Sequence, residues 1–270
     1  MSGLSDFRDR VAVVTGASSG IGAGLARALA RRGARVALVA RRADRLEELA
    51  REIERAGSRA LPLACDVADE ASVQAAARRV IDELGRIDLM VNAAGHNRHV
   101  LFKDHPTAEI EQMMRVNYLG TVHWIRATLP ALRSQGRGWI VNVSSLAGKL
   151  GQPDEAAYSA SKFAVTGLSE ALSYEFEPLG IHVMCVYPAL VRTEMFDEAT
   201  MARMPARSKG SFIEVDEFCE AVLAALGRGA YEVTVPRPFA FVYLMRLLFP
   251  RMMRKQTAKI RLPILPDLTR

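Results

Sequence analysis

Short apolar runs rich in β-branched residues alternate along the sequence with longer segments in which Ala and Leu recur at helical spacing. The runs predict strands at Val11–Thr15, Val36–Ala40, Leu61–Cys65, Leu89–Asn92, Ile140–Ser144, Val183–Tyr187 and Tyr231–Val235. The longer segments predict helices at Gly22–Arg32, Ala43–Ala56, Glu70–Leu84, around Glu109–Arg133 and at Tyr158–Glu177. Because apolar strands joined by helices form βαβ crossovers, the pattern predicts a parallel sheet covered by helices on both faces.

Length and composition agree with one large domain. The chain has 270 residues, half of them hydrophobic and 24% charged, which allows a sizeable core and excludes long disordered or low-complexity tracts. No repeat of solenoid length and no Ser/Gly-rich linker interrupts it. We therefore expect a single α/β domain over residues 1–236, with a doubly wound parallel sheet of about seven strands, and an extension over residues 237–270.

A glycine-rich turn lies between the first predicted strand and the first predicted helix. Residues 15–22 read Thr-Gly-Ala-Ser-Ser-Gly-Ile-Gly. Glycines at this place let the backbone turn tightly and approach a pyrophosphate, whose charge the helix N-terminus stabilises. Such a turn can also be purely conformational, but its place in the first βαβ unit favours a dinucleotide. The predicted phosphate-binding residues are Gly16, Ser18, Ser19, Gly20, Ile21 and Gly22.

The end of the second predicted strand distinguishes NAD from NADP. An acidic residue there would bind the ribose hydroxyls, whereas a basic residue would bind a 2′-phosphate. The sequence has Arg41 and Arg42, with no acid before Asp44, and the forked donors of arginine suit a phosphate. The alternative is that both arginines only solvate the start of a helix. We favour NADP(H) as the cofactor.

Five more motifs follow in order at the ends of predicted elements. They are Asp66-Val67, Asn92-Ala93-Ala94-Gly95, Asn117 within Arg-Val-Asn-Tyr, Ser145, and Tyr158 with Lys162 as YxxxK. Together with the glycine-rich turn, this set resembles the short-chain dehydrogenase/reductase family over about Arg10 to Pro236. The resemblance implies a Rossmann-like fold, an NAD(P)-dependent oxidoreductase, and a homodimer or homotetramer paired through the two long helices.

The predicted catalytic residues are Ser145, Tyr158, Lys162 and Asn117. Tyr158 and Lys162 are i and i+4, so they share one face of a helix. We expect the ammonium to lower the pKa of the phenol, which then acts as general acid in carbonyl reduction. Ser145 would hydrogen-bond the substrate oxygen, with Ser144 as the alternative. By the resemblance, Asn117 holds a water that links Lys162 to solvent.

The resemblance also assigns cofactor contacts beyond the glycine-rich turn. Asp66 and Val67 would lie beside the adenine, and the backbone near Val191 and the Thr193 hydroxyl would meet the nicotinamide carboxamide. Ala189 stands where the family has glycine, which leaves the local turn geometry open. The remaining assigned contacts are Asn92, Ala93, Gly95, Tyr158, Lys162 and Pro188.

On the substrate side, residues 194–212 are expected to form a lid, as in the family. It carries Met195, Phe196, Met201, Met204 and Phe212. Flexible methionines suit an adaptable apolar pocket, although they suit ordinary packing almost equally well. We expect the substrate to be a hydrophobic ketone or aldehyde.

Histidines and cysteines indicate no metal site or disulfide. None of the five histidines has metal-ligand spacing, and His96 and His99 are expected at the surface, or alternatively at the substrate entrance. Cys65, Cys185 and Cys219 are odd in number and lie among apolar neighbours, so buried reduced thiols are expected.

Positive charge is concentrated in the C-terminal extension. The net charge is +6, but residues 237–270 contain eight basic residues and one acid, so the rest of the chain is near neutral and a nucleic-acid partner is disfavoured. Within the extension, Phe239–Phe249 is nearly all apolar and is shorter than the roughly twenty residues that a membrane span needs. This segment could lie in a membrane interface or complete the substrate pocket or a subunit contact.

The sequence thus predicts an NADPH-dependent reductase of a hydrophobic ketone or aldehyde, reversible as an alcohol dehydrogenase; if the extension contacts a membrane, lipid-derived ketones are the expected substrates. Two alternatives are a soluble 3-oxoacyl-thioester reductase and a non-catalytic, membrane-recruited protein that binds the cofactor. The charged N-terminus has no signal-peptide pattern. We expect the protein in the cytoplasm, or at the inner face of a membrane.

Overall fold

A parallel sheet organises the chain in the computed structural model, which describes residues 3–195 and 212–261. Its strands are β1 (Val11–Thr15), β2 (Arg35–Ala40), β3 (Ala60–Ala64), β4 (Leu89–Asn92), β5 (Gly138–Val143), β6 (Ile181–Pro188) and β7 (Glu232–Val235). In the described residues they form one seven-stranded sheet in the order β3-β2-β1-β4-β5-β6-β7. All neighbouring strands pair in parallel.

Helices connect the strands and cover both faces of the sheet. They are α1 (Gly20–Ala30), α2 (Ala43–Arg55), α3 (Glu70–Leu84), α4 (Thr107–Met114), α5 (Gly120–Ser134), α6 (Ala156–Phe176), α7 (Val215–Gly227), α8 (Phe241–Leu248) and α9 (Pro250–Arg261). The predicted α/β fold, a Rossmann-like doubly wound sheet, is confirmed.

The core is divided by the sheet into two apolar layers, because successive side chains of a strand point to opposite faces. Ala12 and Val14 of β1 face one layer, to which α1, α2 and α7 contribute Leu25, Leu46 and Phe218. Val11 and Val13 face the other layer, to which α3, α5 and α6 contribute Val73, Trp124 and Phe176. Burial on both faces explains why the strands are almost continuously apolar.

The sheet changes winding direction between β1 and β4, and hydrogen bonds join the carboxyl ends of these two strands. The Thr15 hydroxyl at the end of β1 accepts hydrogen bonds from the amides of Ala93 and Ala94, at 3.0 and 3.1 Å. Gly16 has a φ of +68°, and a Cβ there would lie 2.9 Å from the Ala93 carbonyl oxygen. A crevice therefore opens at the carboxyl ends of β1 and β4, where doubly wound sheets bind ligands.

The helix predicted around Glu109–Arg133 is present from Thr107 to Ser134, with one widened turn within it. Between α4 and α5, residues Arg115–Leu119 form a π-helical turn. The Asn117 side chain is tied there to the backbone of His96, accepting from its amide at 2.8 Å and donating to its carbonyl at 2.9 Å. This tertiary attachment holds the widened turn against the loop that follows β4.

The described residues cover only part of the lid and of the extension. Glu194, Met195 and Phe212 are described, whereas Phe196, Met201 and Met204 lie outside the described residues. The extension begins with a 3₁₀ turn at Arg237–Ala240 and continues as α8 and α9. No helix in the described part of the chain combines the length and apolarity that crossing a membrane requires.

Candidate active site

A cavity of about 610 Å³ lies over the carboxyl ends of the central strands. It brings together nearly all of the predicted site residues. Those that line it are Gly16, Ser18, Ser19, Gly20, Ile21, Gly22, Arg41, Arg42, Asp66, Val67, Ala93, Gly95, Ser145, Tyr158, Lys162, Pro188, Val191 and Thr193. Asn92 and Asn117 are not among the lining residues.

The glycine-rich turn is shaped to admit a pyrophosphate. A Cβ on Gly22 would lie only 2.3 Å from the Gly16 carbonyl oxygen, so the turn is too tight for a side chain there. Gly20 has a φ of +53° at the start of α1, and the first turn of α1 contains no acidic residue. Ser19 makes no side-chain cap hydrogen bond to this helix N-terminus. The residues present therefore fit the phosphates of a dinucleotide.

Arg42 lies directly over this turn. Its guanidinium donates hydrogen bonds to the Ser18 hydroxyl from Nε and Nη2, at 3.2 and 2.9 Å, and from Nη2 to the Ser19 hydroxyl at 2.9 Å. Glu194, at the start of the lid, approaches Arg42 at 3.6 Å and pairs with Arg45 at 2.8 Å. These arginines hold the pKa of the Glu194 carboxyl below its usual range. Sequence reasoning missed this pair because its members are far apart in the chain.

The two serines after β5 have different environments. The Ser144 hydroxyl is buried, donates to the Lys162 carbonyl at 2.9 Å and lies 3.0 Å from the Thr166 hydroxyl. The Ser145 side chain interacts with the Tyr158 phenol, which favours the phenolate, and it accepts a hydrogen bond from the Ala147 amide at 3.1 Å. Ser145, rather than Ser144, is therefore positioned beside the phenol.

Tyr158 and Lys162 share one face of α6, as expected, but the expected effect on the phenol does not appear. The Lys162 ammonium lies 5.7 Å from the centre of the Tyr158 ring and donates to the Val143 carbonyl at 2.9 Å. Both side chains are buried, and burial disfavours their charged forms. Burial and the nearby Glu155 carboxylate raise the pKa of Tyr158 above its ordinary value. Burial also lowers the pKa of Lys162 to about 8.

Asn117 and Asn92 are buried and do not line the cavity, but they hydrogen-bond residues that lie next to it. Asn117 donates to the Ser161 hydroxyl at 2.9 Å, and its Oδ1 would lie 3.8 Å from a Cβ on Gly95. Asn92 donates to Asn142 Oδ1 at 2.9 Å, so it joins β4 to β5. The structure therefore places Asn117 next to the loop that lines the cavity, although Asn117 itself is buried and does not line it.

The segment after β6 closes the cavity between the phosphate turn and the catalytic residues. Val191 bridges to Ile213, and the Ile213 amide donates to the Leu190 carbonyl at 3.0 Å. The Thr193 methyl group would lie 3.2 Å from a Cβ on Gly20, so Thr193 packs against the phosphate turn. Across the cavity, the Asp66 carboxylate accepts from the Ala68 amide at 3.0 Å.

A polar wall that the sequence did not reveal lies on the substrate side of Tyr158. His99 is 3.4 Å from Asp154 and 3.4 Å from Glu155, and Asn97 donates to Glu155 at 2.8 Å. All four residues line the cavity, as does His96, which places both histidines at the expected alternative position; His96 is also exposed, as expected. The signal available in the sequence was the position of the two histidines, one and four residues after Gly95. The three cysteines are free and buried, as expected.

Comparison with known proteins agrees with this geometry. A model of the short chain dehydrogenase family matches residues 10–203. The chain belongs to the short-chain dehydrogenase/reductase family. It is therefore an oxidoreductase of an NAD(P)-dependent family.

Individual members of the family differ in what they act on. The chain is 41% identical to D-threitol dehydrogenase of Mycolicibacterium smegmatis over 72% of its own length and 75% of that protein. It is 39% identical to 3-oxoacyl-[acyl-carrier-protein] reductase of Bos taurus, over 69% and 78% of the two chains. A crystal structure of gluconate 5-dehydrogenase from Burkholderia cenocepacia in complex with NADP and tartrate matches with a TM-score of 0.77 and 30% identity, over 87% of this chain and 98% of that one.

Proposed function

We propose that this protein is an NADPH-dependent reductase of ketones or aldehydes that carry an apolar group. The observation that carries the proposal is the placement of the Ser145 and Tyr158 hydroxyls in the same cavity as Arg42 and the glycine-rich turn. One ligand can therefore contact a phosphate-binding end and a proton-donating end at the same time.

Preference for NADPH is supported by the charges around the adenosine end. Arg41 and Arg42 line the cavity at the end of β2, and the Arg42 guanidinium already faces two hydroxyls of the phosphate turn. Guanidinium groups bind phosphate oxygens through paired, charge-assisted hydrogen bonds. Glu194 is the acid that competes for Arg42 at this place, and it belongs to the start of the lid. A 2′-phosphate, with a larger negative charge than a carboxylate, would displace it.

The chain's own residues would supply hydrogen bonding and the proton. When bound, the nicotinamide supplies the hydride for the carbonyl carbon. Ser145 donates a hydrogen bond to the carbonyl oxygen, where negative charge develops. Tyr158 releases its phenolic proton to that oxygen, which yields the alcohol. Its raised pKa keeps the phenol protonated and ready to donate.

Lys162 and Asn117 would restore the proton. The Lys162 ammonium, with a pKa of about 8, places a positive charge near the phenolate left after the transfer. Asn117 holds the loop above Lys162 through the backbone of His96. A water held there, as in the family, would connect Lys162 to solvent.

An apolar substrate group is supported by part of the cavity lining. Leu146, Leu190, Met195 and Phe239 line the cavity near the segment after β6 and the extension. The polar wall of His99 and Glu155 lies on another side, where it can bind a hydroxyl or amino substituent. A lipid-derived ketone with a polar group beside the carbonyl combines both features.

The direct test is oxidation of NADPH and of NADH by the purified full chain with a panel of carbonyl compounds. The panel contains long-chain ketones, short-chain ketones, ketoses and a 3-oxoacyl thioester. We expect the highest kcat/KM for a long-chain ketone with NADPH. Oxidation of neither cofactor with any member would refute the proposal, and highest activity with the thioester would instead assign the activity of the bovine relative. The cytoplasmic location and the homo-oligomeric assembly stay predictions.

A further inference from the structure

Helix α8 presents four of its apolar side chains to solvent. Leu247 is 78% exposed, Phe241 61% and Leu248 57%. We call the outward set the C-terminal apolar face; it consists of Phe241, Leu244, Leu247, Leu248, Phe249 and Met252. Such a contiguous exposed apolar surface is characteristic of an interaction site.

The inward side of α8 carries its half-buried residues Val242, Tyr243 and Met245. Tyr243 packs edge-on against Tyr187 of β6, with ring centres 6.1 Å apart. Arg246 donates a hydrogen bond to the Lys149 carbonyl and lies over the Phe163 ring. The domain therefore holds α8 through Tyr243 and Arg246, and this attachment fixes the apolar face outward.

Positive charge borders the apolar face on the following helix. Arg251, Arg254 and Lys255 of α9 are exposed, and none of the three forms an ion pair with a described residue. The sequence contains no acidic residue between Glu232 and Asp267. An occupant of this surface must therefore accept apolar side chains and a cluster of cations together.

We propose that the C-terminal apolar face docks on an anionic lipid surface. Apolar side chains enter the boundary between headgroups and acyl chains, while adjacent cations contact lipid phosphates. A second copy of the chain is disfavoured as the occupant, because it would bring the same unpaired cations close to these. Phe239, in the turn immediately before α8, lines the cavity, so docking would place the cavity next to the lipid.

The test is flotation of the full chain with vesicles of phosphatidylcholine alone or with about a third phosphatidylglycerol. The first variant, F241S/L247S, removes apolar area from exposed positions that no described contact needs for folding. The second, R251Q/R254Q/K255Q, removes three charges, each worth about fivefold in binding at roughly 1 kcal/mol per residue. The matched controls are F102S, at an apolar residue that is 72% exposed, and R55Q/R78Q/R133Q, at exposed arginines elsewhere.

We expect the wild type and both controls to float with anionic vesicles and to bind neutral vesicles at least tenfold more weakly. Both C-terminal variants should lose anionic binding, by about a hundredfold for the charge variant. Equal flotation of F241S/L247S and wild type would overturn the proposal. So would a wild type that never floats but is a dimer that F241S/L247S makes monomeric. Activity on a water-soluble ketone, measured on the same preparations, tests the proposed reductase separately.

Discussion

The two ends of the cavity handle charge in opposite ways. At the phosphate end, the side chains of Arg42 and Glu194 are 44% and 57% exposed, and their pairing is screened by water. At the catalytic end, Tyr158 and Lys162 are 8% and 4% exposed. Burial raises the pKa of Tyr158 and lowers the pKa of Lys162, so it favours the neutral form of each side chain. At the phosphate end, a bound phosphate can therefore replace the Glu194 carboxylate at a small cost in free energy. At the catalytic end, the Tyr158 phenol stays protonated until it donates its proton to the substrate.

The largest effect is expected at the catalytic end, from Tyr158→Phe. This change removes the proton donor and retains the buried ring, so kcat should fall by about 10²- to 10⁴-fold with little change in thermal unfolding. The control is Tyr174→Phe, at a tyrosine of the same helix that is 67% exposed. Full activity of Tyr158→Phe would mean that the proton comes from elsewhere.

A smaller effect is expected at the phosphate end, from R41A/R42A. Loss of charge-assisted hydrogen bonds should reduce the preference for NADPH over NADH by roughly tenfold to a hundredfold. The readout is kcat/KM with each cofactor, and Arg55→Ala is the control because Arg55 is exposed on α2 away from the cavity. An unchanged cofactor ratio would show that these arginines only solvate the helix.

The pH dependence of alcohol oxidation tests whether burial and neighbouring charges set the pKa of Tyr158. Burial and then the Glu155 carboxylate raise the pKa of Tyr158, and alcohol oxidation requires the phenolate as base. Glu155→Gln removes the negative charge, lowers that pKa, and should move the rising limb of the oxidation rate to lower pH. Glu175→Gln, at an exposed position of the same helix, should leave the limb in place. A limb that moves to higher pH would contradict the electrostatic argument.

The smallest effect is expected for Glu194→Gln. Freeing Arg42 and Arg45 from an exposed carboxylate should lower the KM for NADPH by about two- to fivefold and leave kcat unchanged. The control Glu83→Gln breaks an exposed ion pair with Arg79 remote from the cavity. A higher KM for NADPH would mean that Glu194 assists cofactor binding rather than competing with it.

What could be predicted from the sequence depended on whether a feature is set by nearby residues or by contacts with distant parts of the chain. The glycine-rich turn and Arg42 were placed by local spacing within one strand-turn-helix unit. The assignment of Tyr158 and Lys162 came from the resemblance to the family, and their i, i+4 spacing placed both on one helix face. The π-helical turn at Arg115–Leu119 was missed because it depends on the attachment of Asn117 to a loop elsewhere in the chain. The direction of the Tyr158 pKa was wrong because the sequence shows the neighbouring cation but not the burial.

The polar wall and the outward face of α8 were unpredictable for a related reason. Asp154 and Glu155 meet His99 only because two loops converge over the sheet, and the Val100 amide donates to the Asp154 carbonyl at 2.9 Å. The apolar pattern of α8 is equally compatible with burial and exposure. Which side faces inward is decided by Tyr243 and Arg246 against partners on other elements.

The most direct test of the account measures kcat and the KM for NADPH of Tyr158→Phe and R41A/R42A side by side, with one long-chain ketone. If one cavity joins a phosphate end to a proton-donating end, Tyr158→Phe loses kcat with an unchanged KM for NADPH. R41A/R42A then retains kcat at saturating NADPH and shows a raised KM. The account is contradicted if Tyr158→Phe keeps its kcat, or if R41A/R42A binds NADPH as the wild type does.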